Sequence, residues 1–505
     1  MAKPKLDKDL KKLQNLEGAT QERAMRLLPA SLALLFLVLA GIAALAVSGL
    51  ATGWVLIVAA AVIGGYMALN IGANDVANNM APAVGSRALT IGVAVALAAV
   101  FEAAGAIIAG GEVVATVSGG IIQPELLPST AHFVTGMLAA LFAAAVWLNV
   151  ATAFGAPVST THSIVGGVLG GGIAMAGFAV ADWSVVARIV ASWIISPVMG
   201  GVIAAAFLAY IKFTILFVPD KLTQAARRVP LLVSIMAGAF AAYLLIKSLD
   251  RVWDVPIWLA LLFGLAVGAA TRAIVKPLIA KRVQNLSVRR ESVGELFTIP
   301  VIFGACLLSF AHGSNDVANA IGPLAAIYTS VTEGEMVARA EIPLWIMLVG
   351  AVGISGGLLL YGPKLIRTVG SNITKLNRVR AFCVTLSAAI TVIIASTLGI
   401  PVSSTHIAIG ALFGVGFLRE YLVNRNLAAV LPLQAPEPSI DPVTGEPMAT
   451  NKYLKAKRRF LVRRSHVITI VSAWIVTVPA TALMAAGLAL GLEAFGIDQF
   501  MQGDL

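Results

Sequence analysis

Two aspartates stand where an acidic side chain is expensive. Asp75 lies in the apolar stretch 53–84 and Asp316 in 298–327, with no Lys or Arg within ten residues of either. An ionised carboxylate at the centre of a bilayer costs about 2.5–3.5 kcal/mol on insertion scales, so something must compensate. Each Asp sits in one of two matching runs, Gly72-Ala-Asn-Asp-Val-Ala-Asn78 with Pro82, and Gly313-Ser-Asn-Asp-Val-Ala-Asn319 with Pro323. Asn74, Asn78, Asn315 and Asn319 place amide oxygens beside the carboxylates. An all-oxygen donor set suits a hard cation such as Na⁺, and no Cys/His cluster in the sequence points to a transition metal. Bound cations are therefore the expected partners of Asp75 and Asp316.

A second pair of motifs carries the opposite chemistry. Pro157-Val-Ser-Thr-Thr-His162 matches Pro401-Val-Ser-Ser-Thr-His406, with Gly166 and Gly410 following at equal distance. Proline ends a helix or starts one, and Ser or Thr caps the new N-terminus. The free backbone N–H groups and the positive end of the dipole then make an anion site. Ser159, Thr160, Thr161, Ser403, Ser404 and Thr405 add hydroxyl donors, and a tetrahedral oxyanion suits such a ring.

The elements that hold these motifs are membrane helices. The 505 residues are 59% hydrophobic and 12% charged, where a soluble domain averages about half apolar and a quarter charged. An ordinary soluble enzyme is excluded. Spans of about 20 apolar residues are expected near 28–47, 53–84, 88–110, 132–153, 157–180, 185–211, 230–247, 256–275, 298–327, 343–362, 381–399, 401–418 and 466–492. The first is too long for the apolar region of a signal peptide and reads as a retained span. Stretches 53–84 and 298–327 are too long for one straight crossing, and their polar clusters predict broken helices. Cys306 and Cys383 lie in apolar runs and imply no disulfide.

The net charge of +11 is a topology signal rather than a nucleic-acid surface. Segments 1–28, 212–228, 272–290, 363–380 and 419–464 hold 31 of the 36 Lys and Arg residues. The positive-inside rule puts them in the cytoplasm, with the N-terminus inside and the C-terminus outside. Walking the spans between these anchors runs 53–84 inward and 298–327 outward. The pairs 132–153/157–180 and 381–399/401–418 open to opposite sides, as two crossings or as re-entrant hairpins. The Asp motifs recur at an offset of 241 and the hydroxyl motifs at 244. A weaker third match sets Ser192-Trp193 and Pro197 against Ala473-Trp474 and Pro479. The expected fold is an all-α polytopic membrane protein with an inverted-topology repeat, broken helices, two re-entrant or hairpin pairs and about 11–13 membrane segments. Its parts are 1–52 (cytoplasmic segment and extra helix), 53–211 (first repeat), 212–297 (connecting helices and basic loop), 298–492 (second repeat, with a cytoplasmic insert at 424–465) and 493–505 (tail). Inverted repeats with matched interrupted helices mark secondary transporters, whose sites lie at the midplane.

Glu102, in Phe-Glu-Ala-Ala-Gly105, is a further acid within a span, with no partner evident in the sequence, and a coupling role is expected of it. His162, His312 and His406 flank the motifs and are expected to be hydrogen-bonded structural residues; Trp193 and Trp474 are expected to pack.

The doubled Asn-Asp-Val-Ala-Asn and Pro-Val-Ser-[Ser/Thr]-Thr-His motifs resemble those of the PiT family of inorganic phosphate transporters, over about residues 53–492. The first motif with Ala-Val-Gly-Ser86 is similar to the sodium-dependent type III cotransporters. The resemblance implies import of phosphate by symport with Na⁺, or with H⁺ in some members, across the cytoplasmic (inner) membrane by a homodimer. It implies Na⁺ at the Asn-Asp motifs and phosphate at the hydroxyl motifs. Glu102 matches an acid of the family, while Thr385 stands where the second-half acid would be. Sulfate is the alternative cargo within the family. An anion channel is disfavoured by two fixed carboxylates at its centre, and an enzyme by the lack of a nucleophile–base pair.

Overall fold

The computed structural model describes residues 5–153, 158–249, 253–287, 289–334, 342–372, 376–424 and 464–497. Pro157, most of the 424–465 insert, the end of the C-terminal tail and the side chains of Asn78 and Trp474 lie outside the described residues. Among those described, the chain is helical, with a single isolated bridge between Ile122 and Ala181. Among the described residues, ten helices are long and apolar enough to cross a membrane.

The order is α1 (Lys5–Ser48), α2 (Trp54–Asn74), α3 (Val76–Gly85), α4 (Ile91–Ala109), α5 (Gly111–Ala115), α6 (Thr130–Ala153), α7 (Thr160–Ala176), α8 (Trp183–Ile211), α9 (Lys221–Leu249) and α10 (Ile257–Gln284). It continues through α11 (Arg290–Leu296), α12 (Thr298–Glu333), α13 (Leu344–Asn372), α14 (Arg378–Thr397), α15 (Ser404–Asn424) and α16 (Arg464–Ala494). A π-helical turn, Thr116–Gly120, continues α5. Helices α6 and α7 pack as one hairpin, and α14 and α15 as another. The core is α12: 28 of its 36 residues are buried, and it touches α2, α3, α4, α6, α13 and α14. Helices α9 and α10 form a peripheral pair, with α10 the most exposed of the long apolar helices.

The expectation of two broken helices holds for one motif only. The first is interrupted at Asp75, between α2 and α3, although the Asp75 amide still bonds the Ile71 carbonyl at 2.9 Å and the residue stays near helical dihedrals (φ −83°, ψ −36°). The second motif lies inside α12, one continuous helix that carries Pro323 without ending. The physical reason is that the polar side chains of α12 find partners on neighbouring helices. The backbone therefore need not unwind to satisfy them, and at about 1.5 Å per residue α12 is longer than the apolar core of a bilayer is thick.

Glycines set the helix spacing, as expected where close approach rather than water drives packing. A Cβ at Gly72 would overlap the Ile354 carbonyl oxygen, and one at Gly357 would overlap that of Leu69. These contacts join α2 to α13. The contacts of α12 with α4 match them: Gly313 lies on the Glu102 carbonyl and Gly105 on that of Phe310. Gly72 and Leu69 differ from Gly313 and Phe310 by 241 positions, and Ile354 and Gly357 differ from Glu102 and Gly105 by 252. The hydroxyl-motif helices behave the same way. Gly166 and Gly170 of α7 sit on α16 carbonyls of Val478 and Ala482, while Gly410 and Gly414 of α15 sit on α8 carbonyls of Pro197 and Gly201. Helices α2, α4, α7 and α8 thus each pack, through glycine, on a helix from the second part of the chain: α13, α12, α16 and α15 respectively.

Gly105→Val should force α4 from α12, with a loss of about 1–3 kcal/mol or more from overpacking. Gly487→Ala, whose Cβ would meet nothing within 4 Å, should be neutral. Thermal unfolding of the two variants in detergent makes the comparison.

Candidate functional site

The apolar stretches bring both motif pairs to one buried place. Helices α7 and α15 begin there, and each is capped by the serine of its motif. Ser159 Oγ accepts from the His162 amide at 3.3 Å and Ser403 Oγ from the His406 amide, also at 3.3 Å. Ser159, Thr160, Thr161, Ser403, Ser404 and Thr405 are all buried. The rings of His162 and His406 meet edge to face at 5.1 Å, and His162 stacks on Trp193 at 3.7 Å. The two half-helices therefore begin side by side.

Each carboxylate takes a hydroxyl from the hairpin of its own half. Thr160 Oγ1 donates to Asp75 Oδ2 at 3.0 Å, and Ser404 Oγ to Asp316 Oδ2 at 3.4 Å. Asn319 and Thr161 then cross-link the halves, while Asn315 ties α12 to the α14–α15 turn of its own half. Asn319 Nδ2 donates to Thr160 Oγ1 and Thr161 Oγ1, both at 3.2 Å. Thr161 Oγ1 donates to the Val402 carbonyl at 2.9 Å, and the Val402 amide donates to Asn315 Oδ1 at 3.1 Å. Asn315 Nδ2 reaches Ser396 Oγ at 3.1 Å and the Ile400 carbonyl at 3.3 Å. Asn74 lies half-buried on the last turn of α2 and Thr405 on the first turn of α15.

Not every oxygen is used. Asp316 Oδ1 and Asn319 Oδ1 are buried without a hydrogen-bond donor. A buried acceptor left bare costs about 1–3 kcal/mol. An all-oxygen set with lone pairs to spare, beside two carboxylates, fits a cation.

Glu102 is the point at which the sequence reading needs correction, because it has partners. Asn79 Nδ2 donates to Glu102 Oε1 at 3.0 Å, and His312 Nδ1 lies 2.6 Å from Oε2. His312 Nε2 lies 2.9 Å from Asp316 Oδ2, so the imidazole spans the two acids. The missed signal was local: His312 and Asp316 are four residues apart on a helix and share a face. Asn79 and Ser396 were also overlooked, since nothing in their own spacing marks them. Thr385 does not face Glu102. It donates to the Ala381 and Phe382 carbonyls of its own helix and lies against Gly304. By the glycine contacts, the residue in register with Glu102 is Ile354. His312 pairs in the same way with Ile71, so the acid–imidazole chain exists in one half alone.

A description of the phosphate transporter family matches residues 71–485, which contain every one of these groups. The chain belongs to the phosphate transporter family. It is 44% identical to a candidate phosphate permease of Helicobacter pylori strain J99, over 96% of this chain and 98% of that one. A candidate phosphate permease of Pyrococcus abyssi is 39% identical over 71% of this chain and 88% of its own. Among solved structures, one described as "The sodium-dependent phosphate transporter" superposes with a TM-score of 0.75 at 33% identity, covering 87% of this chain and 99% of that one. Family and fold are those of a multi-pass membrane transporter, not of an enzyme. In this transporter the described site residues come from α2, α3, α4, α7, α12, α14 and α15, so the site forms only when both halves assemble.

The two hydroxyl donors to carboxylate should differ in weight. Thr160→Val removes the shorter bond and should lower stability by about 1.5–3 kcal/mol, the range for a hydrogen bond to a charged group. Ser404→Ala, with the longer bond, should fall at or below the lower end, and Thr160→Ser should restore most of the loss. Thermal unfolding at fixed salt measures all three.

Proposed function

We propose that this transporter imports inorganic phosphate by symport with Na⁺ across the cytoplasmic membrane. The observation that carries the reading is the pairing of Asp75 with Thr160 and of Asp316 with Ser404 at the starts of α7 and α15. Phosphate is bound at the two helix N-termini by Ser159, Thr160, Thr161, Ser403, Ser404 and Thr405. Sodium ions are held by Asn74, Asp75, Asn78, Asn315, Asp316 and Asn319, where the bare Asp316 Oδ1 and Asn319 Oδ1 support the assignment. Glu102 acts in coupling through His312. The likeness to a sodium-dependent phosphate transporter supports the choice of cation.

Charge gives the coupling its sign. Phosphate at neutral pH carries between one and two negative charges, and Asp75 and Asp316 carry two more. In a low-dielectric site an unaccompanied anion meets strong repulsion. Two or more Na⁺ ions bring the cluster near neutrality, so cation and anion favour each other's binding. Linkage makes the effect reciprocal. Proton coupling is the second reading, favoured by one observation: an imidazole placed between Glu102 and Asp316 is built to hold a proton. Sulfate has no structural feature in its favour beyond the shared tetrahedral shape.

The same proposal includes the architecture. The two halves, 53–211 and 298–492, are inverted copies joined by 212–297. The matched glycine contacts and the charge bias support this. The N-terminus is cytoplasmic, the C-terminus lies outside, and two copies form a homodimer in the lipid bilayer.

Uptake into proteoliposomes tests the coupling. Asp75→Asn and Asp316→Asn should each nearly abolish Na⁺-driven accumulation of phosphate, and calorimetry on the unmodified protein should give tighter phosphate binding in Na⁺ than in choline at equal ionic strength. Equal affinity in the two salts would sink sodium coupling. Ala at Ser159, Thr161, Ser403 or Thr405 should weaken phosphate affinity by roughly tenfold or more, from about 1.5–3 kcal/mol per lost bond to an anion.

Topology has its own test. Cysteines at Gly119 and Arg289 should label from outside and inside respectively, as should one at Pro438 from inside. Labelling of position 438 from outside would overturn the inversion.

A further inference from the structure

One polar contact between the two halves lies outside the motifs. Thr116 Oγ1, at the start of the π-helical turn that continues α5, donates to the Gly399 carbonyl at 2.6 Å. Gly399 is buried and ends α14 in the left-handed region (φ 66°), with the Glu112 carbonyl oxygen and Thr116 Oγ1 at 3.3 and 3.4 Å from where a Cβ would stand. The turn that Gly399 opens is the one that reaches the site. Asn315 Nδ2 donates to the Ile400 carbonyl, the Val402 amide to Asn315 Oδ1, and Thr161 Oγ1 to the Val402 carbonyl. Residues 112–122 also cross α12 just past the aspartate motif. Val113, Val114 and Val117 are buried; Val117 lies on Gly322, and Val317, next to Asp316, lies on Gly110. Both ends of the segment are fastened. Glu112 meets Lys247 of α9 at 3.6 Å. At the other end the Gln123 amide donates to the Val180 carbonyl and the Asp182 amide to the Ile121 carbonyl, around the Ile122–Ala181 bridge.

We infer that residues 112–122 form a strap that closes the outer side of the transport site, latched by the hydrogen bond from Thr116 to Gly399. The outward sense rests on the topology proposed above, which puts 111–131 outside. Three features suit the strap to open as well as to close. Thr116 has a second acceptor, the Glu112 carbonyl one turn back at 3.4 Å. Back-bonding of this kind is ordinary for threonine in a helix, so the hydroxyl leaves Gly399 without being orphaned, and water entering from outside meets the carbonyl it leaves. The backbone from Thr116 to Gly120 is π-helical, a form that holds one residue more than an α-helix and is found mostly at functional sites. Moving that residue out rotates the preceding turn by about 100°, one residue's share of a helical turn, which carries Thr116 off Gly399. Both partners also recur at the repeat offsets of 252 and 244: Thr116-Val117 returns as Thr368-Val369, and Gly399-Ile-Pro401 is matched by Gly155-Ala-Pro157. Thr116 is a positioning residue. It acts on the site through the turn 399–402, which Thr116 holds at one end and Asn315 and Thr161 hold at the other.

A cysteine placed beneath the strap by Val117→Cys tests the latch, through its rate of reaction with a membrane-impermeant maleimide added outside intact cells. Peptide mass spectrometry reads it beside the native Cys306 and Cys383, both buried, which report general loosening. Adding Thr116→Val should raise the rate at position 117 by about three- to tenfold, the weight of one neutral hydrogen bond, with no change at Cys306 or Cys383. Thr116→Ser should restore the original rate. Lys247→Met, which unfastens the part-exposed pair at the end of the strap, should raise the rate by about twofold; it carries the test where Thr116→Val does not fold. In proteoliposomes Thr116→Val should lower Na⁺-driven phosphate accumulation and leave equilibrium phosphate affinity unchanged, the mark of a seal rather than of a ligand. Equal rates at position 117 with and without the Thr116 hydroxyl, or a parallel rise at Cys383, would overturn the latch. A cysteine at Glu125, exposed on the same loop, reads the topology separately. Labelling of it from inside alone would overturn the outward sense of the strap together with the topology. Labelling from outside with equal rates at position 117 defeats the latch and leaves the topology standing.

Discussion

The interaction on which everything else depends is the burial of two carboxylates in an apolar helix bundle with no lysine or arginine nearby in sequence. Removing a charge from water is costly, and the penalty is met only when the group is paired and its remaining lone pairs are satisfied. Asp75 and Asp316 are partly satisfied by Thr160 and Ser404. The hydroxyls and amides lower the cost, yet they bring no positive charge. The missing counter-charge must come from outside the bundle's own hydroxyls and amides, and a bound cation would supply it. A permanent arginine in the same place would satisfy the carboxylates and remove the reason for a cation to bind.

The helical frame follows from that requirement. Partial positive charge without a formal cation is available at helix N-termini, and the helix starts at Thr160 and Ser404 place two of them beside the aspartates. Glycines at positions 166, 170, 410 and 414 let these half-helices press against the backbones of α16 and α8. Their N-terminal hydroxyls are thereby held in register with the aspartates. The same device at Gly72 and Gly313 seats each aspartate-bearing helix on its neighbour. Small residues here are positional: a single added methyl at Gly313 would strike the Glu102 carbonyl and displace the histidine one residue earlier.

The two halves repeat several close contacts and differ in chemistry. The glycine contacts and the hydroxyl–carboxylate pairs occur twice, while the Glu102–His312–Asp316 chain occurs once. The two aspartates are therefore inequivalent. Asp75 has a threonine, and Asp316 has a serine and an imidazole backed by a buried acid. One motif thus stands in two different electrostatic surroundings, which a symmetric site would lack.

Much of this was legible in the residue pattern. Hydrophobic spans longer than a bilayer needs, the doubled Asn-Asp and Pro-Val-Ser motifs and their common offset pointed to membrane helices, to a repeat and to the twelve candidate ligands. Local chemistry was enough for that, since proline, capping hydroxyls and misplaced acids each have a physical meaning where they stand. The continuity of α12 was not legible. Whether a polar cluster unwinds its helix depends on partners from α4, α7, α14 and α15, which sequence spacing cannot supply. Glu102 looked solitary for the same reason, because its partners Asn79 and His312 lie 23 and 210 residues away. Sequence by itself determined which groups need compensation; only the tertiary structure decided which groups provide it, because desolvated charges are satisfied by what is near in space.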